Sequence, residues 1–425
     1  MGESSSENDQ QFSELFGFLQ DAKLEVQRFA AQGILELTED QDFLAYCQRN
    51  PRACARPLLR LAESAEAAEA AADSTGEASG SGSATAARKA ALDAATAAAA
   101  GSAALQALVN LSAAPSLCDE LVSLKASERC AEAMRAGWLL GRSGQAHWYA
   151  MLLANVTTGK AGQQALCAQE PLLKFLLGAY ATKPRLPEAD GYADPLLLLG
   201  RVFVNVCALA EGRRVLAGGE QGPDTLVKLM AELKDRARRL DVLGALRNIC
   251  LDTECHAAVV ATDLFAGLAT FLYPWDKVEA AKREQLPEGL RATLTASGAA
   301  LTADAQVRST ASTCLLGLCR SAEGREYLCG FGCQEVLRAW QLEERVELTR
   351  ATVESAMQAL QDSQEPVAAE AEASAADAPA EAEAPAVGDA PAVVKTGPLP
   401  QADPGTEKAK GDEKLGGLFD EIEGA

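Results

Sequence analysis

Residues 203–216 read FVNVCALAEGRRVL, and residues 246–260 read LRNICLDTECHAAVV. Each carries an asparagine in an aliphatic setting, a few residues before a turn. The same setting stands in LVNLS and LANVT, so Asn110, Asn155, Asn205 and Asn248 recur at gaps of 45, 50 and 43 residues. A period in the forties points to stacked helical repeats, each burying its apolar face against the next. Such a chain presents a surface for binding and has no single core that would enclose a pocket.

Working outward from the asparagines gives a frame. Seven residues on stand Gly162, Gly212 and Cys255; eleven residues on stand Leu121, Leu166, Leu216 and Val259. The frame also finds two units that lack the asparagine. LLGLCRSAEGREYL places Gly317 at the anchor, Gly324 at plus seven and Leu328 at plus eleven, while ILELTEDQDFLAYC places Glu36 at the anchor and Cys47 at plus eleven. The gaps of 74 residues before Asn110 and 69 after Asn248 are each one repeat plus an insertion. Period-two alternation of β-branched residues is scarce, and Ala and Leu favour helix. The predicted fold is therefore all-α, a right-handed armadillo/HEAT-like solenoid of about six units. It spans 11–361, with a disordered N-terminus over 1–10. A flexible Ser/Gly-rich insertion falls at about 73–84 and a loop insertion at about 273–303. KPRLPEADGYADP (183–195) is a further loop, and a disordered acidic tail covers 362–425.

Composition narrows the function classes. The net charge is −21, and residues 362–425 alone hold 15 Asp/Glu against 4 Lys. Nucleic-acid binding leans on Lys/Arg, so no nucleic-acid partner is expected. The polar, acidic opening MGESSSENDQQ does not read as a secretory leader, and no apolar run reaches membrane length. With 12 scattered Cys read as buried thiols in a reducing compartment, the expectations are a cytoplasmic, monomeric protein with no membrane partner. The two histidines, His147 and His256, fall in different units, and Cys250, Cys255 and His256 have no second ligand pair to complete a zinc site. Phosphate-binding glycine motifs are absent. No metal, no cofactor and no catalytic residues are expected; His256 reads as a packed or capping side chain.

The asparagine row has two readings. An amide both donates and accepts, so a row of them can hold the backbone of an extended client segment; or each can tie its repeat to its neighbour. The client-binding candidates are Asn110, Asn155, Asn205 and Asn248 with Arg247, Arg238 and Arg239. These arginines, with Arg236, Arg213 and Arg214, either form a positive patch for acidic partner residues or for this protein's own tail, or pair with nearby Glu232 and Asp235. Trp275 in YPWDK is the tryptophan to test as an interface anchor; Trp138, Trp148 and Trp340 read as core. In the tail, Leu415, Leu418, Phe419 and Ile422 stand at helical spacing among acidic residues. They form either a recognition segment or a solvated end.

RRLDVLGALRNICLDTECH (238–256) resembles the signature of the Hgh armadillo-like family, also called brain protein 16-like, through Gly244, Leu246, Arg247, Asn248, Cys250 and His256. FVNVCALAEGRRVL is similar to that family's Asn-to-Gly-Arg segment. REQLPEGL (283–290) is similar to its Leu-Pro element, and AEGREYLCGFGCQEVLRAW (322–340) to its C-terminal helix pair. The likeness covers roughly 100–345, with departures at Ile249 and Gln341. It implies an adaptor that assists folding of translation elongation factor 2 with the CCT/TRiC chaperonin. The alternative is a general armadillo scaffold with another client.

Overall fold

The computed structural model describes residues 3–78, 84–139, 145–182 and 194–362, and all regular structure among them is helical. After α1 (Glu3–Phe18) the helices come in triplets: an anchor helix, a short helix and a third helix. These are α2 (Leu24–Leu37), α3 (Gln41–Arg49) and α4 (Pro51–Ala78); α5 (Ala84–Leu111), α6 (Pro115–Ser123) and α7 (Ala126–Leu139); then α8 (Ala146–Val156), α9 (Lys160–Cys167) and α10 (Glu170–Thr182). They continue with α11 (Leu199–Cys207), α12 (Ala210–Ala217) and α13 (Gly222–Ala231), and with α14 (Arg239–Cys250), α15 (His256–Val260) and α16 (Leu264–Leu272). Two inserted helices, α17 (Ala280–Glu284) and α18 (Glu288–Ser297), precede the sixth triplet, α19 (Ala305–Leu318), α20 (Ala322–Gly330) and α21 (Cys333–Glu343); α22 (Glu347–Asp362) follows. The architecture is an armadillo-like helical solenoid. Where the sequence reading draws one array over 11–361, the chain divides into two compact units, one running to Asp263 and one beginning at Leu264.

The frame marks one joint repeated six times. Every anchor falls in the last turn of its helix, and the chain then turns into the short helix. The plus-eleven residues Cys47, Leu121, Leu166, Leu216, Val259 and Leu328 are each 0% exposed, so this position is the core contact of every short helix. At plus seven, a Cβ on Gly162, Gly212 or Gly324 would collide with the carbonyl oxygen of Val156, Val206 or Leu318, the residue just after the anchor. Glycine lets the short helix start against the end of the anchor helix. Caps sharpen several starts: Asp40 accepts from the Phe43 amide at 2.9 Å, Ser321 from that of Gly324 at 3.0 Å, and Asp304 from that of Gln306 at 2.9 Å.

Several segment boundaries differ from the sequence reading. Residues 3–10 belong to α1. The polar stretch extends the amphipathic turn that buries Phe12, Leu15, Phe16 and Leu19, and Asp9 pairs with Arg49 of α3 at 2.8 Å. Residues 73–78 continue α4, because Ala and Glu propagate a helix already nucleated by PLLRLAE. The 273–303 insertion is mostly ordered as α17, α18 and a 3-10 turn at Trp275–Lys277, pinned by buried Leu286, Leu290 and Leu294. Residues Arg88–Leu111 are long and apolar enough for a membrane span by length and composition, against the sequence reading. Yet 56% of that window is buried, as in a core helix. The loop over 183–193, the linker core at 79–83 and the tail beyond Asp362 lie outside the described residues.

Candidate functional site

In the first unit the anchor helices α2, α5, α8, α11 and α14 pack side by side, each against the next. The asparagines of α5, α8, α11 and α14 stand along one face, Asn110 exposed and Asn155, Asn205 and Asn248 half-buried. Each amide nitrogen reaches back to the preceding triplet. Asn110 Nδ2 donates to Thr38 Oγ1 at 2.9 Å. Asn155 Nδ2 donates to Ser112 Oγ at 2.9 Å and the Val109 carbonyl at 3.2 Å, and Asn205 Nδ2 to Thr157 Oγ1 and the Ala154 carbonyl, both at 3.1 Å. Asn248 Nδ2 keeps only the carbonyl bond, to Val204 at 3.2 Å, where the hydroxyl position is Cys207. The acceptors occupy fixed places: the carbonyl one residue before the previous anchor, and the hydroxyl two residues after it.

This defines what the row can do. The two amide hydrogens of Asn155 and of Asn205 are spent on stacking, so toward any ligand these residues can offer only Oδ1, an acceptor. Asn248 Oδ1 already accepts from Arg247 Nη2 at 3.1 Å. Four and seven residues before the central anchors, on the same helical face, stand half-buried Met151 and Trp148, then Arg201 and Leu198. Arg201 pairs with Asp241 of the next anchor helix at 2.8 Å; burial raises the Asp241 carboxyl despite that charge.

The sequence pattern missed two positions. The plus-two residue receives the next asparagine wherever it is a hydroxyl, as at Thr38, Ser112 and Thr157; Cys207 in VNVC does not. At the Asn110, Asn205, Asn248 and Gly317 joints the plus-eight side chain caps the plus-two carbonyl. Cys118 Sγ donates to Ser112 O at 2.8 Å, Arg213 Nη1 to Cys207 O at 3.0 Å and Arg325 Nη1 to Cys319 O at 2.7 Å; His256 Nε2 lies 2.7 Å from Cys250 O. His256 is 0% exposed and must carry its proton on Nε2, since a carbonyl only accepts; this is the capping role expected of it.

The arginine cluster is corrected by its surroundings. Arg238 is 1% exposed. Its guanidinium makes a two-pronged pair with Asp194 at 2.7 and 2.8 Å, a bond to Glu232 at 2.9 Å and one to the Tyr180 carbonyl, and lies 4.0 Å over the Tyr180 ring. Burial alone would lower its pKa, but the bond and charge of Asp194 raise it. Arg238 is therefore an internal strut and cannot meet a client. Arg239 donates to the Leu233 carbonyl at 2.7 Å and caps the preceding turn. Arg213 pairs with Asp252 at 2.6 Å, while Arg214, 3.8 Å from Glu254, and Arg236 are both exposed. Trp340 is core, bonded through Nε1 to Glu344 at 2.9 Å.

All 12 cysteines are free thiols, and burial pushes Cys118, Cys167 and Cys255 up to about 11 and Cys130 and Cys319 up to about 12, away from the reactive thiolate. Among the described residues no group of three His, Cys, Asp or Glu could hold a metal ion.

The fold and this face define a helical-repeat scaffold. Comparison with known proteins gives a match over residues 94–297 to a family described as a domain of unknown function, DUF383. The chain is also 26% identical over 213 residues to "Protein HGH1 homolog" of Drosophila pseudoobscura pseudoobscura, a match covering 48% of this chain. The match spans about half the length of that relative, 55% of it. Among solved structures the chain is similar to an engineered protein at 13% identity and TM-score 0.38, covering 83% of this chain and 97% of that one. A designed armadillo repeat protein follows at 12% identity and TM-score 0.37, covering 82% of this chain and 99% of that one. The family match and the curated relative support an HGH1-like family for this chain, as the Asn248 stretch implies.

Proposed function

We propose that this chain is a non-enzymatic adaptor that assists folding of translation elongation factor 2 together with the CCT/TRiC chaperonin. The observation that carries the reading is the HGH1-like stretch at 238–256. It lies inside the matched family region and supplies the last rung of the asparagine row. The client segment lies across α5, α8 and α11, accepted by the outward oxygens of Asn110, Asn155 and Asn205 beside Trp148, Met151 and Leu198. The adaptor works as a cytoplasmic monomer, without cofactor. Affinity purification of the full chain at endogenous level tests this: elongation factor 2 and chaperonin subunits co-purify if the reading is right. A different, reproducible client without them favours the general armadillo scaffold.

A further inference from the structure

Charge is not spread evenly along the asparagine face. Counting each anchor of the first unit with the seven residues before it, α2, α5, α8, α11 and α14 hold four charged residues: Glu36, Arg201, Asp241 and Arg247. Arg201 and Asp241 neutralise each other at 2.8 Å. That leaves one anion at the α2 end of the row and one cation at the α14 end. Glu36 takes the anchor place in α2 and is exposed, with Gln32 Nε2 3.3 Å from its carboxylate. Arg247 is half-buried, and its guanidinium turns over the last anchor, with Nη2 3.1 Å and Nε 3.4 Å from Asn248 Oδ1. Neither residue makes an ion pair among the described residues. Hydrogen bonding is polarised in the same sense. Asn155 and Asn205 spend both amide hydrogens on stacking and Glu36 has none to give, so these positions can only accept, whereas the guanidinium of Arg247 can only donate.

We propose that the segment held by this row is dipolar: an extended stretch with a cationic side chain at the Glu36 end and an anionic one at the Arg247 end. The inference rests on the reading that the asparagine row receives the client. The segment has to be extended, because a helix spends its N–H groups on its own carbonyls and cannot feed a line of acceptors. Packed helices stand about 8–10 Å apart, so the steps from α2 to α14 cover roughly 32–40 Å. An extended chain rises about 3.3 Å per residue, which makes the segment roughly 10–12 residues long. Between its ends the row carries no net charge, and half-buried Trp148, Met151 and Leu198 favour apolar side chains there. At one end the Glu36 carboxylate takes a Lys or Arg; at the other the planar fork of Arg247 suits the carboxylate of Asp or Glu. Opposite charges at the two ends fix the direction of the segment as well as its affinity.

Overlapping peptides of that length, tiling elongation factor 2 and carrying a fluorophore, test the inference by titration with the full-length protein. The tightest binder is then measured against Glu36→Lys, Arg247→Glu and Arg247→Gln. Glu36 is exposed, and Gln at 247 keeps an amide donor for Asn248 Oδ1, so these two chains keep the fold, with thermal midpoints as the check. A dipolar segment loses about fivefold in affinity with Glu36→Lys, about tenfold with Arg247→Glu and about threefold with Arg247→Gln. The same reversal at exposed Arg214, on the short helix α12 and off the row, leaves the affinity unchanged. Effects of opposite sign at the two ends, one reversal weakening and the other tightening, overturn the proposal by assigning a segment of uniform charge. Unchanged affinity in both reversals also overturns it. If no peptide binds the unaltered chain, the client reading itself falls, and the inference falls with it.

Discussion

At Asn205 one repeat is joined to the one before it by an uncharged amide, with two bonds of 3.1 Å to Thr157 Oγ1 and the Ala154 carbonyl. At the sixth anchor the residue is Gly317, which has no side chain to reach back, and α19 is instead tied forward to the chain before α22 by Arg308 and Glu344. The amide joint can be tiled, because it uses a carbonyl and a hydroxyl that every repeat can present at the same two places. It carries no charge, so acid does not weaken it. The ion-pair joint occurs once in its unit and concentrates its stabilisation in one place. Glu344 has a side chain 0% exposed and takes bonds from Arg308, the Val346 amide and Trp340. Against a burial effect that would raise it, these bonds bring its pKa down to about 2.

The contrast can be broken most severely at Arg308. Arg308→Ala leaves the Glu344 carboxylate buried without its partner and should cost about 3–5 kcal/mol. Urea unfolding monitored by hydrogen exchange should show the loss in residues 264–362, with the asparagine row little changed. Acid should separate the two joints next. The Glu344 contribution is complete above its unfolded value near 4.5 and disappears as pH falls through about 2, a loss of up to about 3 kcal/mol. A pH titration of stability should therefore find the second unit failing between those values, and Glu344→Gln should abolish that acid step. Gly212→Ala drives a methyl group into the Val206 carbonyl and should cost about 1–3 kcal/mol, read as a lowered thermal midpoint. Asn205→Ala is the gentlest change. It strips donors from Thr157 and Ala154, should cost about 1–2 kcal/mol, and should leave the pH profile unaltered.

Much of the scaffold was legible because its signals are local. The spacing from anchor to turn to short helix lies within eleven residues, so Gly162, Gly212 and Gly324 could be placed without knowing the fold. The plus-two hydroxyls were equally local but silent, since a Thr or Ser after a helix has many uses. Only the asparagine of the next triplet gives Thr157 its role. Arg238 shows where composition misleads. Its neighbours RARR suggest a positive patch, but its main partner is Asp194, 44 residues earlier. An arginine is exposed or internal according to which carboxylate the fold brings to it.

The sequence by itself determined the period, the helical class, the buried plus-eleven row and the glycine turns, because each follows from backbone geometry and burial along a short stretch. Only the tertiary structure decided which way the asparagine amides face, which arginines are neutralised and where the chain divides into two units. Those outcomes depend on hydrogen bonds and ion pairs between residues about 40 or more positions apart, and one residue's chemistry cannot specify which distant partner will meet it.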